Sequence, residues 1–222
     1  MSHAPRRLLA ALGASAVLVA AGIAVSASGG AKPADPLAVP ASTMFRGIPE
    51  RDGVLGDPRA PLTLTEYVDL QCPICAVASK QTLPWLVENY VRTGKAKLEL
   101  RTLHFIGPDS ERAARVAAGA ERQGRLWPFV EAFYAAQGGE NSGYVTDGFL
   151  RSVSKAAGVD AGKALATADD EFALRRLEAA NADATRLRVN STPTFTVAKR
   201  DGAPKLIGSG VLSQAALEKA LR

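Results

Sequence analysis

The sequence predicts an α/β domain in which two strand-bearing ends flank a run of helices, and three observations carry this. A strand pattern over Leu62–Leu70 runs straight into a helix opened by Cys72 and Pro73, and a second strand pattern follows. Between residues 107 and 189 only helical periodicity is found. A proline-led strand, its hairpin partner and one more helix then follow.

Taken in order, the first element is a leader. Arg6 and Arg7 precede an uncharged stretch, Leu8–Ala27, rich in Leu, Val, Ile and Ala. At roughly 1.5 Å per residue it covers about 30 Å, enough to span a bilayer. It ends in Val25-Ser26-Ala27, a small-residue ending that suits cleavage. Residues 1–27 therefore read as a signal peptide removed near Ala27 or as a membrane anchor over residues 8–27. Because the arginines stay inside, either reading places the rest outside the cytoplasm. Residues 28–44, rich in Pro, Ala and Gly, read as a flexible spacer, and residues 45–222 as one domain.

In that domain Leu62, Leu64, Glu66 and Val68 fall on one strand face by period-2 alternation. The helix opened by Cys72 runs to about Arg92, with a kink expected at Pro84. Gly94 ends it, and Lys97–Phe105 reads as a second strand, parallel to the first as a βαβ unit requires. Asp109 or Ser110 is expected to cap the next helix, through Ala120. Trp127, Val130, Phe133 and Tyr134 mark another, and the aromatic cluster of Trp127, Phe129, Phe133 and Tyr134 reads as packing. Phe149, Val153 and Ala157 mark a third. A longer helix starts near Asp169, where Ala173, Leu177, Ala180, Ala184 and Leu187 form an apolar stripe. Thr192–Val197 is then a strand, Asp201-Gly202 a turn, and Lys205–Gly208 the hairpin partner; Ser213 caps a last helix, Gln214–Leu221.

Composition narrows the function. Of the net charge of +5, Arg6 and Arg7 supply 2, leaving +3 for residues 28–222, with acidic and basic residues interspersed. That argues against nucleic-acid binding. The chain has two cysteines, Cys72 and Cys75, in one Cys-Pro-Ile-Cys motif. At positions i and i+3 of a helix they lie about 5–6 Å apart, so a disulfide can open and close without backbone movement. Pro73 suits the first helical position and biases Cys72 out of the α region, which puts the Cys72 sulfur at the helix N-terminus, where amides and dipole stabilise a thiolate. A purely structural disulfide is the weaker reading, since a loop of about four residues contributes roughly 2 kcal/mol against about 3 for a 15-residue loop. A zinc site needs about four ligands, and the histidines are only His3 and His104.

The order strand, helix with CxxC, strand, helical block, proline-led hairpin, helix resembles the thioredoxin fold, a central mixed sheet flanked by helices, with an inserted helical subdomain at about 107–189. The chain is similar, over Val54–Arg222, to the DsbA-like thiol:disulfide oxidoreductases of bacterial cell envelopes. The resemblance rests on Gly56–Leu62 leading into Glu66-Tyr67-Val68-Asp69, on Gln71–Cys75, on Leu126-Trp127 opening a helix, and on Val189–Phe195 with its Thr-Pro-Thr-Phe.

The resemblance implies roles. Cys72 becomes the attacking thiol, Cys75 the resolving thiol, Pro73 and Ile74 the dipeptide between them, and Pro193 a cis proline whose neighbour Thr192 turns its backbone toward the disulfide to pair with a substrate strand. Glu66, six residues before Cys72, becomes the buried acid beneath the pair. It implies no bound cofactor or metal, exported client proteins with cysteines as substrates, and a membrane quinone-linked oxidase for reoxidation. Two departures stand out: Pro-Ile lacks the His of the most oxidising members, and Val130 stands where many relatives carry a His. The competing readings are a reductase or isomerase on the same fold, and an exported copper carrier using Cys72 and Cys75 with His104 or Met44.

Overall fold

The computed structural model describes residues 43–200 and 202–222. The expected leader over 1–27 and the spacer up to residue 42 lie outside the described residues, as does Asp201 of the expected turn. Thr43 and Met44, expected in the spacer, belong instead to a 3-10 turn, Thr43–Phe45. Met44 packs on the core and the Phe45 ring lies 6.2 Å from that of Trp127, so apolar contact draws the end of the spacer into the fold.

The elements are β1 (Glu50–Arg51), β2 (Val54–Leu55), β3 (Leu62–Asp69), α1 (Pro73–Gln81), α2 (Leu83–Leu86), β4 (Ala96–Leu103), α3 (Pro108–Glu121), α4 (Leu126–Ala135), α5 (Asp147–Ala157), α6 (Ala161–Thr167), α7 (Glu171–Leu187), β5 (Thr194–Lys199), β6 (Lys205–Ser209) and α8 (Gln214–Ala220). They build a six-stranded sheet in the order β1-β2-β4-β3-β5-β6. β3 pairs in parallel with β4, as a βαβ unit requires, and antiparallel with β5. The sheet is mixed, and α3 to α7 lie between β4 and β5 in the chain as the inserted helical block.

β3 is covered on both faces. Leu64 and Val68 face one cluster, with Leu98, Leu100, Phe195, Cys75 and the apolar residues of α4; Tyr67 faces the other, with Leu103 and Ala180 and Ala184 of α7. Glu66 alternates with Leu64 and Val68, so it shares the face against which α1 and α4 pack.

Several boundaries differ from expectation. β4 stops at Leu103 rather than Phe105, because Leu103 is the partner of Asp69, the last residue of β3 before the chain turns. The helix from Pro73 continues to Val91 as expected, in three segments: α1 ends at Gln81, Thr82 stays in the αR region and donates its N–H to the Ala78 carbonyl, α2 holds Pro84 in its first turn, and Val87–Val91 is a π turn. Pro84 has no N–H for the carbonyl four residues back, which leaves a gap in the ladder before it resumes with Leu86 N–H on the Thr82 carbonyl at 3.2 Å. The cap of α3 is Gly107, with Pro108 in its first turn. Asp109 instead accepts from Gly143 N–H at 2.9 Å, and the Ser110 hydroxyl donates to Asp69 at 2.6 Å. Gly107 is required: its φ is +150°, and a Cβ there would meet the Asn141 side chain at 2.5 Å. α7 begins after Asp170, whose side chain caps Phe172 and Ala173, one residue past expectation. β1, β2 and α6 went unread, the strands being two residues long and α6 seven.

Candidate active site

β3 delivers the chain to the site, and Asp69 anchors the turn. Fully buried, Asp69 accepts from the Gln71 N–H at 2.9 Å, the Ser110 hydroxyl at 2.6 Å and the Ile106 N–H at 3.0 Å. Gln71 extends the network to Ser110 and Asn141. The Gln137 side chain donates to the carbonyls of Leu70 (2.8 Å) and Cys72 (3.3 Å), tying the turn to the end of α4.

Cys72 is the N-cap of α1, with φ −70° and ψ 117°, and Pro73 lies in the first turn, as the sequence predicts. The Cys75 N–H donates to Cys72 Sγ at 3.4 Å, and the Cys72 thiol reaches the carbonyl oxygen of Thr192 at 3.3 Å. Both cysteines are free thiols. Cys72 retains 7% exposure, Cys75 none, while Pro73 and Ile74 are open to solvent.

The electrostatics separate the two thiols. Cys72 is lowered from 9.0 to about 6, first by a hydrogen bond from the Cys75 thiol, then by the Thr192 side chain and the N–H groups of Cys75 and Ile74, against the opposing effect of burial. Cys75 is pushed upward by burial, by its bond to Cys72 and by the charges of Cys72 and Glu66. A thiolate is thus favoured at the more accessible sulfur and opposed at the deeper one.

Glu66 is buried, with 7% exposure. Burial, and then the charge of Glu131, raises it from 4.5 to about 8. The Thr192-Pro193 peptide is cis, and Pro193 leads into β5 beside β3. Val130 is a buried core residue of α4. His104 is engaged by the Asn181 side chain at 3.0 Å, and Met44 packs in the N-terminal turn, so neither expected copper ligand is tied to the thiols by a contact.

Sequence reasoning missed Glu131. Its signal was present: it is the single charged residue in Leu126–Ala135. Burial raises it from 4.5 to about 7, with the Ser79 hydroxyl and Lys80 opposing. Tyr134, read as packing, is buried as expected, and its hydroxyl also donates to the Asp69 carbonyl at 3.3 Å.

A family model described as thioredoxin matches residues 50–205. The probable disulfide bond formation protein D of Bacillus cereus is 31% identical over 103 residues, 46% of this chain and 48% of that protein. The chain thus spans about half the length of the curated relatives it matches first. A longer alignment, 32% identical over 170 residues and 73% of this chain, covers only 26% of the Na(+)/H(+) antiporter NhaA 1 of Mycobacterium sp. (strain KMS). Among solved structures, oxidised BdbD from Bacillus subtilis superposes with a TM-score of 0.66 over 81% of this chain and 92% of that one, at 22% identity, and shows the same fold with its helical insertion. With a match across most of the domain and the sheet, helical block and cysteine-bearing turn in place, the chain belongs to the thioredoxin family.

Proposed function

We propose that the protein is an extracytoplasmic thiol:disulfide oxidoreductase that oxidises exported client proteins through Cys72 and Cys75. The observation that carries this is the division of labour between the thiols: Cys72 at the N-terminus of α1, held near 6, over a Cys75 with no exposure and a raised pKa. The name of the Bacillus cereus relative points the same way.

In the oxidised form a client thiolate attacks Cys72 Sγ. The Cys72–Cys75 bond breaks, its electron pair stays on Cys75 Sγ, and Glu66 supplies the proton. The client's second thiolate then attacks its own sulfur in the mixed disulfide, and Cys72 leaves as a stabilised thiolate. The client's two thiol protons go to solvent as its thiolates form, Cys75 carries the proton from Glu66, Cys72 remains a thiolate, and the protein holds the client's two electrons. A membrane quinone-linked oxidase is the partner that would take them back, with residues 1–27 exporting the domain or anchoring it. No helix among the described residues is long and apolar enough to cross a membrane, so anchoring rests on residues 8–27 alone.

Oxidised protein mixed with a reduced two-cysteine peptide should yield peptide disulfide and protein dithiol one for one, and Cys72→Ser should yield none. Absence of transfer from the parent protein overturns the reading. Acid-quenched alkylation in cells then fixes direction: a mostly disulfide population supports an oxidant, a mostly dithiol one a reductase or isomerase. Glu66→Gln should slow Cys75 attack on a mixed disulfide at neutral pH and spare the first attack by Cys72.

A further inference from the structure

Glu131 has no role in the exchange as described, yet its setting is unusual. It is the lone charge of an apolar helix, and its Oε1 accepts from the Ser79 hydroxyl. Ser79 is one turn after Cys75 on α1 and 4% exposed. The Glu66 carboxyl, on the face of β3 against which α1 and α4 pack, receives no side-chain hydrogen bond from the described residues. Two carboxyls therefore lie on elements packed beneath Cys75, a buried Glu66 with no such bond and a half-buried Glu131 bonded to Ser79.

We propose that Glu131 is a positioning residue for proton transfer at Cys75: tied to α1 by Ser79, it forms with the buried Glu66 a coupled carboxyl pair holding a single proton, and its negative charge keeps that proton on Glu66. This rests on the disulfide-exchange reading above.

Two carboxyls that feel each other's charge ionise together only at a cost, and the better stabilised one ionises first. The groups facing the pair decide which that is. Ser79 and Lys80 of α1 favour the charged form of Glu131. Nothing favours the charged form of Glu66, which meets only burial and the charge of Glu131. Cys75 feels the charge of Glu66, and Tyr134 those of Cys75, Glu66, Cys72 and Asp69, so every other group acting on the site is anionic when charged. The shared proton consequently resides on Glu66, where it can be given to the Cys75 sulfur as the disulfide opens. When Cys75 attacks, the proton passes from its thiol to the Glu66 carboxylate.

The test loads Cys72 of the full chain with thionitrobenzoate as a mixed disulfide and follows release of the chromophore by Cys75 across pH. Glu131→Gln keeps the hydrogen bond to Ser79 and removes the charge. Glu66 should then ionise earlier, moving the rise in release rate to lower pH by about one unit. Ser79→Ala should move it the same way, because Glu131 then holds the proton. The carboxyl band of Glu66, followed by infrared difference titration of the oxidised chain, should shift by the same amount without any exchange reaction. An unmoved profile with an unmoved Glu66 band, accompanied only by a lower melting temperature, means that Glu131 merely ties α4 to α1 and overturns the inference. If the parent protein releases no thionitrobenzoate at any pH, the exchange reading fails and the role at Cys75 fails with it, whatever the band does.

Discussion

Cys72 Sγ lies 3.3 Å from the carbonyl oxygen of Thr192, a residue 120 positions later in the chain. That contact joins the start of α1 to the loop before β5, and β5 reaches β3 because they pair antiparallel from Leu62↔Lys199 to Tyr67↔Thr194. The sheet register therefore decides what stands over the Cys72 sulfur. Lowering of the Cys72 pKa comes first from the hydrogen bond with the Cys75 thiol, and then from both sides, the Thr192 side chain and the amides of α1.

Alkylation should separate the thiols. With Cys72 near 6, about half of it is thiolate at pH 6, against about one part in a thousand for a thiol at 9.0. Iodoacetamide should modify Cys72 hundreds of times faster than Cys75 in the reduced protein, read by mass spectrometry of the two labelled positions. Equal rates would reverse the assignment. In cells, Cys75→Ala should accumulate mixed disulfides with exported proteins, and Cys72→Ala should not.

The reduction potential should change slope with pH. Below the Cys72 pKa of about 6, reduction takes up two protons with two electrons and the potential falls by about 59 mV per pH unit; above it one proton is taken up and the slope halves to about 30 mV. Equilibration with glutathione from pH 5 to 8 reads the break. A single steep slope across that range would mean that Cys72 titrates like an ordinary thiol. The helix amides remain and the His of the most oxidising relatives is absent, so the potential should fall between those of thioredoxin and DsbA, about −270 and −120 mV.

Stability of the oxidised protein should fall as pH rises from about 4.5 to 8. Glu50, Glu131 and Glu66 are raised by burial to about 7, 7 and 8. A carboxyl whose folded pKa exceeds its unfolded value binds more protons when folded, so its contribution is complete below the unfolded value and is lost as pH rises through the folded one. The loss should be on the order of a few kcal/mol across the window. Using the oxidised form removes the opposite contribution of the Cys72 thiolate. Urea midpoints at pH 5 and 8 check the sign, and Glu66→Gln and Glu131→Gln should each flatten the curve.

Gly119→Ala should destabilise the helical block. A Cβ at Gly119 would lie 2.5 Å from the backbone of Ala164, so α3 and α6 touch through the space a methyl would fill. Forced repacking costs typically about 1–3 kcal/mol. Thermal unfolding should show a lowered midpoint; an unchanged one would mean that α6 yields freely.

Much of this molecule was legible because its signals are local. Period-2 alternation around Glu66, proline after Cys72, and Ser213 before the last helix each act within a few residues, and β3, α1 and the cap of α8 lie where those signals place them. The elements that escaped are those whose stability is borrowed. β1 and β2 are two residues each and exist by pairing with each other and, through β2, with β4. α6 has only seven residues, and its one plain signal was the Asp160 cap, which accepts from Lys163 N–H at 3.1 Å. Ser110, a fair cap candidate by sequence, was claimed by Asp69, 41 residues earlier.

The sequence by itself determined the α/β order, the helical insertion, the pairing of two thiols at one helix start and the acid on β3. Only the tertiary structure decided how those groups differ. The amides that favour a Cys72 thiolate follow from the local turn, but the desolvation that raises Cys75, Glu66 and Glu131 depends on α4 and β3 closing over the same interior, and the Thr192 contact depends on sheet register. Spacing along a chain sets which atoms can meet within a turn; dielectric and charge in a core are set by every element packed around it.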